Sequence, residues 1–282
     1  MVGISEGDAV SYSEPLSHTA IGISISGSQD MEALGLAEEH LRDAMTEVAR
    51  HLLAMGARLV YGGDLREHGF TELLFELVAR YRRDADVGDS RPAIVNYLAW
   101  PVHRSMQPEK IQTHSQAVAG LAELHYLDIQ GRNIAAEKLE VSTSLPTPEE
   151  WSTGLTAMRH VMTKTCDARI ILGGKVSEFK GRMPGIAEEA LCSIDSGQPL
   201  YVLGGFGGCA RGIAEELGLV APLQVQATPW GDRAKFKGLT VNALNNGLDE
   251  AENLTLARTV HVDEAVALIL RGLLRRFSDP DR

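Results

Sequence analysis

Glycines and cations cluster in the middle of the chain, in a pattern suited to holding an anion. An apolar run at 168–172 ends in Gly173-Gly174-Lys175, and a second glycine-bearing stretch with Arg182 leads to a helix predicted to begin at Pro184. Glycine lets the backbone turn tightly and approach a ligand closely, and the first turn of a helix leaves N–H groups that bind phosphates. We therefore predict an anion site here. A plain strand-to-helix connection with solvated charges is the alternative.

Two adjacent glutamates, Glu188 and Glu189, lie one turn into the same predicted helix. A carboxylate at this position could bind the hydroxyls of a ribose or act as a catalytic group. We expect one of the pair to face solvent, as on any amphipathic helix. Glu188 shares the side of Gly185 by helical spacing, so we predict that Glu188 is the functional one. Two solvated charges are the alternative.

Small residues also follow the other predicted strands. Ser26-Gly27-Ser28 ends the first strand, Gly62-Gly63-Asp64 ends the second, and a glycine cluster at 204–208 follows the strand at 201–203. Neither of the first two has the GxGxxG fingerprint or the P-loop pattern, so simple turns remain the alternative. The predicted ligand-binding residues are Ser26, Gly27, Ser28, Gly62, Gly63, Asp64, Gly173, Gly174, Lys175, Arg182, Gly185, Glu188, Gly205 and Phe206.

The elements that must position these residues alternate between strand and helix. Apolar runs at 20–26, 58–61 and 92–100 predict strands, separated by amphipathic helices at 34–55 and 71–82. This order predicts an α/β fold with a mainly parallel sheet and right-handed crossovers. The loops after parallel strands meet at one edge of the sheet, where ligands bind.

The domain organisation follows from the same reading. We predict a flexible N-terminal arm over 1–18 and a single domain over 19–282, with an insertion around 102–148. Within this insertion we expect a short helix in 117–128 that leads into a strand at 123–129. A helix over 151–166 starts after a capping sequence at 147–150. On this helix we expect Arg159 to face away from Leu155, Met158 and Met162.

Composition narrows the classes of partner. A net charge of -11 and 5% aromatic residues argue against a nucleic-acid partner, because tracking phosphates needs a basic face and stacking needs aromatic rings. No apolar run is long enough to span a bilayer, so we expect no membrane association and a cytoplasmic location. The three cysteines and the scattered histidines have no zinc-type spacing, so we expect neither a metal nor a cofactor.

The glycine turns together with 183–190, Met-Pro-Gly-Ile-Ala-Glu-Glu-Ala, resemble the SLOG superfamily. This group contains the Lonely-guy enzymes, the DprA family and the nucleotide-sensing domains of TRPM channels and Thoeris effectors. The resemblance implies a Rossmann-like three-layer sandwich and a pocket for nucleotide-derived ligands such as ADP-ribose or cyclic ADP-ribose isomers. It also implies a setting in bacterial stress or anti-phage defence. From the acidic charge and the family together, we expect the protein to form a homo-oligomer.

One departure from the family pattern bears on function. Lonely-guy enzymes carry PGGxGTxxE, whereas this chain has the Pro-Gly and a Glu without the GGxGT portion. The resemblance therefore favours sensing of a nucleotide-derived ligand. The rival is an enzyme that cleaves an N-glycosidic bond with Glu188 as the catalytic carboxylate, which similarity to nucleoside deoxyribosyltransferases also suggests. A structural subunit with an empty pocket is the third reading.

Overall fold

The computed structural model describes residues 14–63, 69–84, 92–104, 106–139, 144–223 and 230–278. Within these ranges seven strands form one sheet. The strands are β1 (Ala20–Ser26), β2 (Arg58–Gly62), β3 (Ile94–Leu98), β4 (Ala122–Leu127), β5 (Asn133–Ile134), β6 (Ala168–Gly173) and β7 (Leu200–Leu203). The α-helices are α1 (Glu38–Ala54), α2 (Phe70–Asp84), α3 (Trp100–His103), α4 (Pro108–Ala117), α5 (Pro148–Thr165), α6 (Gly185–Asp195), α7 (Gly208–Glu216), α8 (Glu250–Arg258) and α9 (Val262–Phe277).

The sheet has the order β5-β4-β3-β2-β1-β6-β7 and is parallel except for the β4–β5 pair at one edge. The chain runs outward from β1 through β2, β3 and β4, and then returns to place β6 on the other side of β1. The glycines that follow β1, β2 and β6 therefore share the edge formed by the carboxyl ends of these strands. The predicted α/β fold with a mainly parallel sheet is confirmed.

Helices cover both faces of the sheet and complete three layers. Alternate residues of β1, such as Ile21 and Ile23, join α1, α2 and α9 in the largest apolar cluster. On the opposite face, Val60 of β2 packs with Met158 and Met162 of α5, and β6 and β7 pack against α6 and α7. The side chains of β1 that point to this second face are small, which leaves room between the strand and the helices.

Several element boundaries differ from those that the sequence suggests. The helix predicted from residue 34 begins at Glu38, because a 3-10 turn at Glu32–Leu34 ends at Gly35 with a left-handed φ of 72°. The strand predicted at 123–129 is confirmed as β4, whereas the short helix expected from residue 117 lies earlier in the chain, as α4. The start of α5 is confirmed: the Thr147 hydroxyl accepts from Glu150 N–H, and the Glu150 carboxylate accepts from Thr147 N–H.

Residues at the start of the described chain pack against the fold. Leu16, which lies inside the predicted arm, is fully buried and donates its N–H to the carbonyl of Met55 at 2.9 Å. The division into an arm and a single domain stays a prediction. None of the described helices has both the length and the apolar character that crossing a membrane requires.

Candidate functional site

A cavity of about 210 Å³ lies at the carboxyl ends of β1 and β2, beneath α5 and the first turn of α6. Its wall combines apolar, hydroxyl and charged groups: Ile23, Ser24, Ile25, Ser26, Tyr61, Gly62, Arg159, Lys175, Phe179, Gly185, Ile186 and Glu189. The topology explains its location, because the edge at which β1, β2 and β6 end is where ligands bind in open parallel sheets.

Four of the predicted residues, together with the start of α6, form the part of this wall that suits an anion. These residues are Ser26, Gly62, Lys175 and Gly185. The first hydrogen bond within α6 runs from Glu188 N–H to the Pro184 carbonyl at 3.1 Å. The N–H groups of Gly185 and Ile186 precede it and lack a helical acceptor, and both residues line the cavity. With the exposed ammonium of Lys175 nearby, this wall favours a phosphate.

The other glycine-loop residues in the prediction lie outside the described cavity wall. Gly174 donates its N–H to the Ser26 carbonyl at 2.7 Å and has a φ of 107°, a conformation that glycine tolerates. A Cβ on Gly63 would meet Tyr61 and Thr71, and one on Gly173 would meet the Ser26 carbonyl. Gly27, Ser28, Gly63, Gly173, Gly174 and Arg182 are absent from the described cavity wall. Asp64 lies outside the described residues.

The second glycine cluster, at 204–208, has a different role from the predicted one. Phe206 is buried in the main core, and a Cβ on Gly205 would collide with the Thr259 carbonyl. The start of α7 is already closed by a carboxylate of the chain itself, since Gly208 N–H lies 2.8 and 3.0 Å from the two oxygens of Asp30. An internal anion thus occupies the position at which a ligand phosphate would bind.

Both glutamates of α6 are buried, so the expectation that one of them faces solvent is wrong. The reason is that α6 is covered on two sides, by α5 and by the sheet with α7. Glu188 accepts hydrogen bonds from Thr156 Oγ1 at 2.5 Å and from Arg159 Nη1. Glu188 therefore ties α6 to α5 and does not line the described cavity, whereas Glu189 does.

Glu189 is held by residues from three elements. Ser24 Oγ of β1 donates to Oε2 of Glu189, and Arg169 Nη1 of β6 donates to the same oxygen at 2.8 Å. Nε of Arg159 lies 3.6 Å from Oε1 of Glu189. Two arginines and two glutamates are thus buried side by side, and their charges balance. Buried ions require such pairing because leaving one unpaired costs several kcal/mol.

The sequence reasoning missed three residues of this network: Ser24, Arg159 and Arg169. The expectation that Arg159 faces away from Leu155, Met158 and Met162 is wrong. Leu155 and Met162 lie four and three residues from Arg159 and so share its side of α5, and Met158 and Arg159 are both buried. Arg159 is buried, and a Cβ on Gly185 would lie 2.6 Å from its Nη2. Arg169 could have been found from the sequence, because a cation inside an apolar strand is buried and therefore needs a buried partner of opposite charge.

The loop between β6 and α6 contributes Lys175 and Phe179 to the cavity wall. The contacts that attach this loop to its surroundings include that of Lys180 Nζ, 3.9 Å from the ring centroid of Trp151, and the hydrogen bond that Ser177 Oγ donates to Gln29 Oε1 at 3.2 Å. The loop is therefore fixed over the site by the start of α5 and by the turn after β1.

The thiols near the site do not suit nucleophilic chemistry. Burial raises the pKa of Cys166 to about 11 and that of Cys209 to about 12. A thiol needs its thiolate form to attack a substrate, so neither is activated at neutral pH. In the part of the chain that the structure describes, no three His, Cys, Asp or Glu side chains gather in a way that could hold a metal ion.

The sheet topology defines a Rossmann-like α/β protein, with a cavity at the carboxyl edge of its mainly parallel sheet. The model of the family described as SLOG cluster2 matches residues 15–241. The chain therefore belongs to this SLOG family, whose membership indicates a nucleotide-related binding or modifying domain. No curated protein matches the chain.

Proposed function

We propose that the protein binds a nucleotide-derived ligand, such as ADP-ribose or a cyclic ADP-ribose isomer, as a sensor domain. The observation that supports this most is the cavity wall itself, which offers the first turn of α6 and Lys175 to a phosphate and Glu189 to a hydroxyl. A nucleotide carries both kinds of group, joined through its ribose. The defence setting rests on the family resemblance alone.

The size of the cavity limits how much of the ligand it holds. Pockets for drug-sized ligands usually measure about 300–1,000 Å³, and this one measures about 210 Å³. We infer that the sugar and one phosphate enter the cavity and that the remainder of the ligand lies along the loop that carries Phe179.

The second candidate function is cleavage of an N-glycosidic bond. The position of Glu189 in the cavity wall supports this candidate. A carboxylate in the cavity wall can add to the anomeric carbon or deprotonate water that does so, while the C–N bond breaks and the base leaves with the bonding electrons. We infer that Glu189 would take this role in place of Glu188, because both oxygens of Glu188 accept hydrogen bonds from α5.

One experiment separates the two candidates. ADP-ribose and cyclic ADP-ribose isomers are titrated calorimetrically into the full chain, and the mixtures are then chromatographed for free base. Saturable binding without release of base supports the sensor. Release that Glu189→Gln abolishes and Glu188→Gln preserves supports the enzyme with the reassigned carboxylate. Failure of every one of these nucleotides to bind would contradict both candidates.

A further inference from the structure

Arg169 is a buried cation near the start of an apolar strand. It belongs to β6, its neighbours Ile170 and Ile171 are buried, and its own side chain is fully inaccessible to solvent. Removing a guanidinium from water is costly, and a buried ion pair replaced as a whole by well-packed apolar side chains often leaves a protein equally stable or more stable. The stability of the strand therefore does not explain why a cation stands at this position. The explanation has to come from the contacts that the guanidinium makes.

These contacts converge on one oxygen of Glu189. Arg169 Nη1 donates to Glu189 Oε2 at 2.8 Å and to Ser24 Oγ at 2.9 Å, and Ser24 Oγ in turn donates to the same Oε2. On its other side, Arg169 Nε donates to Ser193 Oγ at 3.0 Å. Gly22 provides the space, because a Cβ there would lie 3.2 Å from Arg169 Cζ.

Two residues have different positions relative to the cavity, and we assign them different roles. Glu189 lines the cavity, while Arg169 lies behind it and is absent from the described wall. We propose that Arg169 is the positioning residue of the site, holding Oε2 of Glu189 together with Ser24 so that Oε1 is presented to a hydroxyl of the ligand. This inference rests on the proposed function.

The chemistry of the Glu189 carboxylate determines which chemical group of a ligand can contact it. A carboxylate accepts hydrogen bonds and does not donate them, and it repels a phosphate by charge. The group that meets Glu189 is therefore a neutral hydroxyl of the ribose type, while the phosphate lies at the first turn of α6 and Lys175. Loss of Arg169 should remove the preference for the hydroxyl and leave phosphate binding intact.

The test compares two probes that differ only in their hydroxyls, adenosine 5′-monophosphate and its 2′,3′-dideoxy analogue, by calorimetry on the full chain. We expect the wild type to bind the hydroxylated probe about tenfold tighter or more, as for a hydrogen bond to a charged group. Arg169→Met should bring the ratio of the two Kd values close to one, and Arg169→Lys should retain an intermediate ratio. Lys164→Met, which removes an exposed cation of α5, should keep the wild-type ratio.

A purely structural role for Arg169 would lower Tm and weaken both probes together, with an unchanged ratio, and that result overturns the inference alone. If Arg169→Met does not fold, Arg169→Met with Glu189→Gln leaves no unpaired buried charge and is compared with Glu189→Gln. Equal Kd values for these two support action through Glu189, and a further loss of preference in the double variant contradicts it. A wild type that binds neither probe nor ADP-ribose overturns the proposed function and the inference with it.

Discussion

Arg159 and Glu188 form a buried ion pair that joins α5 to α6, with both side chains less than a tenth exposed. The pair occupies the position at which the sequence suggested a catalytic carboxylate. Its two partners lie 29 residues apart in the chain, so their contact depends on the packing of the two helices over the sheet. The pair fastens α5 to α6 above the cavity, and of the two glutamates only Glu189 lines the described cavity wall.

Removal of one partner of this pair should be strongly destabilising. Glu188→Leu leaves the Arg159 guanidinium without its closest counter-ion, and we expect the free energy of unfolding to fall by about 3–5 kcal/mol. Urea unfolding at neutral pH measures the change. The double variant Arg159→Met with Glu188→Leu should recover most of the loss, because no unpaired charge stays buried. Equal losses in the single and double variants would show that the pairing does not matter.

Neutralising Lys175 should weaken the binding of phosphorylated ligands. Its exposed ammonium stands beside the start of α6, and a charge-assisted contact of this kind corresponds to about a tenfold change in Kd. We expect Lys175→Met to raise the Kd for ADP-ribose by about that factor and to reduce its dependence on salt. Lys164→Met serves as the matched control, since it removes an exposed lysine outside the described cavity wall. An equal effect of both variants would indicate long-range attraction in place of a local contact.

A methyl group at Gly185 should disturb both the fold and the site. A Cβ there would lie 2.6 Å from Arg159 Nη2, and the guanidinium is held by its pairing with Glu188. We expect Gly185→Ala to destabilise the protein by about 1–3 kcal/mol, as overpacking does, and to weaken ligand binding. Gly231→Ala is the control, because no atom of the described residues lies within 4 Å of a Cβ at that position. Thermal unfolding and calorimetry of the two variants measure the difference, and equal Tm values would contradict the predicted clash.

The stability of the C-terminal helices should depend on pH through Glu252. Hydrogen bonds from Arg275 and Arg271, with one from the backbone of Asp249, lower the pKa of Glu252 from its ordinary 4.5 to about 2. A carboxyl whose pKa is depressed in the folded state contributes stability above the unfolded pKa, and this contribution is lost as pH falls through the folded pKa.

We therefore expect Glu252→Gln to lower the free energy of unfolding by about 1 kcal/mol at pH 7, a magnitude typical of capping and surface ion pairs. The difference from wild type should shrink as the pH falls from 4.5 towards 2. Chemical denaturation at a series of pH values measures it. Glu250→Gln, at an exposed position of the same helix, should show little such dependence, and a pH-independent loss in Glu252→Gln would contradict the prediction.

The sequence by itself determined the architecture and the edge on which the site lies. Alternating strands and helices imply a parallel sheet, and parallel strands bring the turns at Gly27, Gly63 and Gly174 to one edge whatever the details of packing. The start of α6 was predicted to within one residue, because proline suits the beginning of a helix: the prediction placed it at Pro184, and the structure begins α6 at Gly185 with Pro184 as the N-cap. These are local or topological properties, which short segments encode.

Tertiary structure alone decided which residues of that edge face the cavity. Helical periodicity separates a buried side from a solvated side, but α6 has neighbours on two sides, so both Glu188 and Glu189 are buried and their roles depend on which neighbour each one meets. Glu188 meets Arg159 of α5 and Glu189 meets Arg169 of β6, contacts between elements that are distant in the chain. Burial of a charge is favourable only where a partner lies within reach, and that partner is fixed by packing.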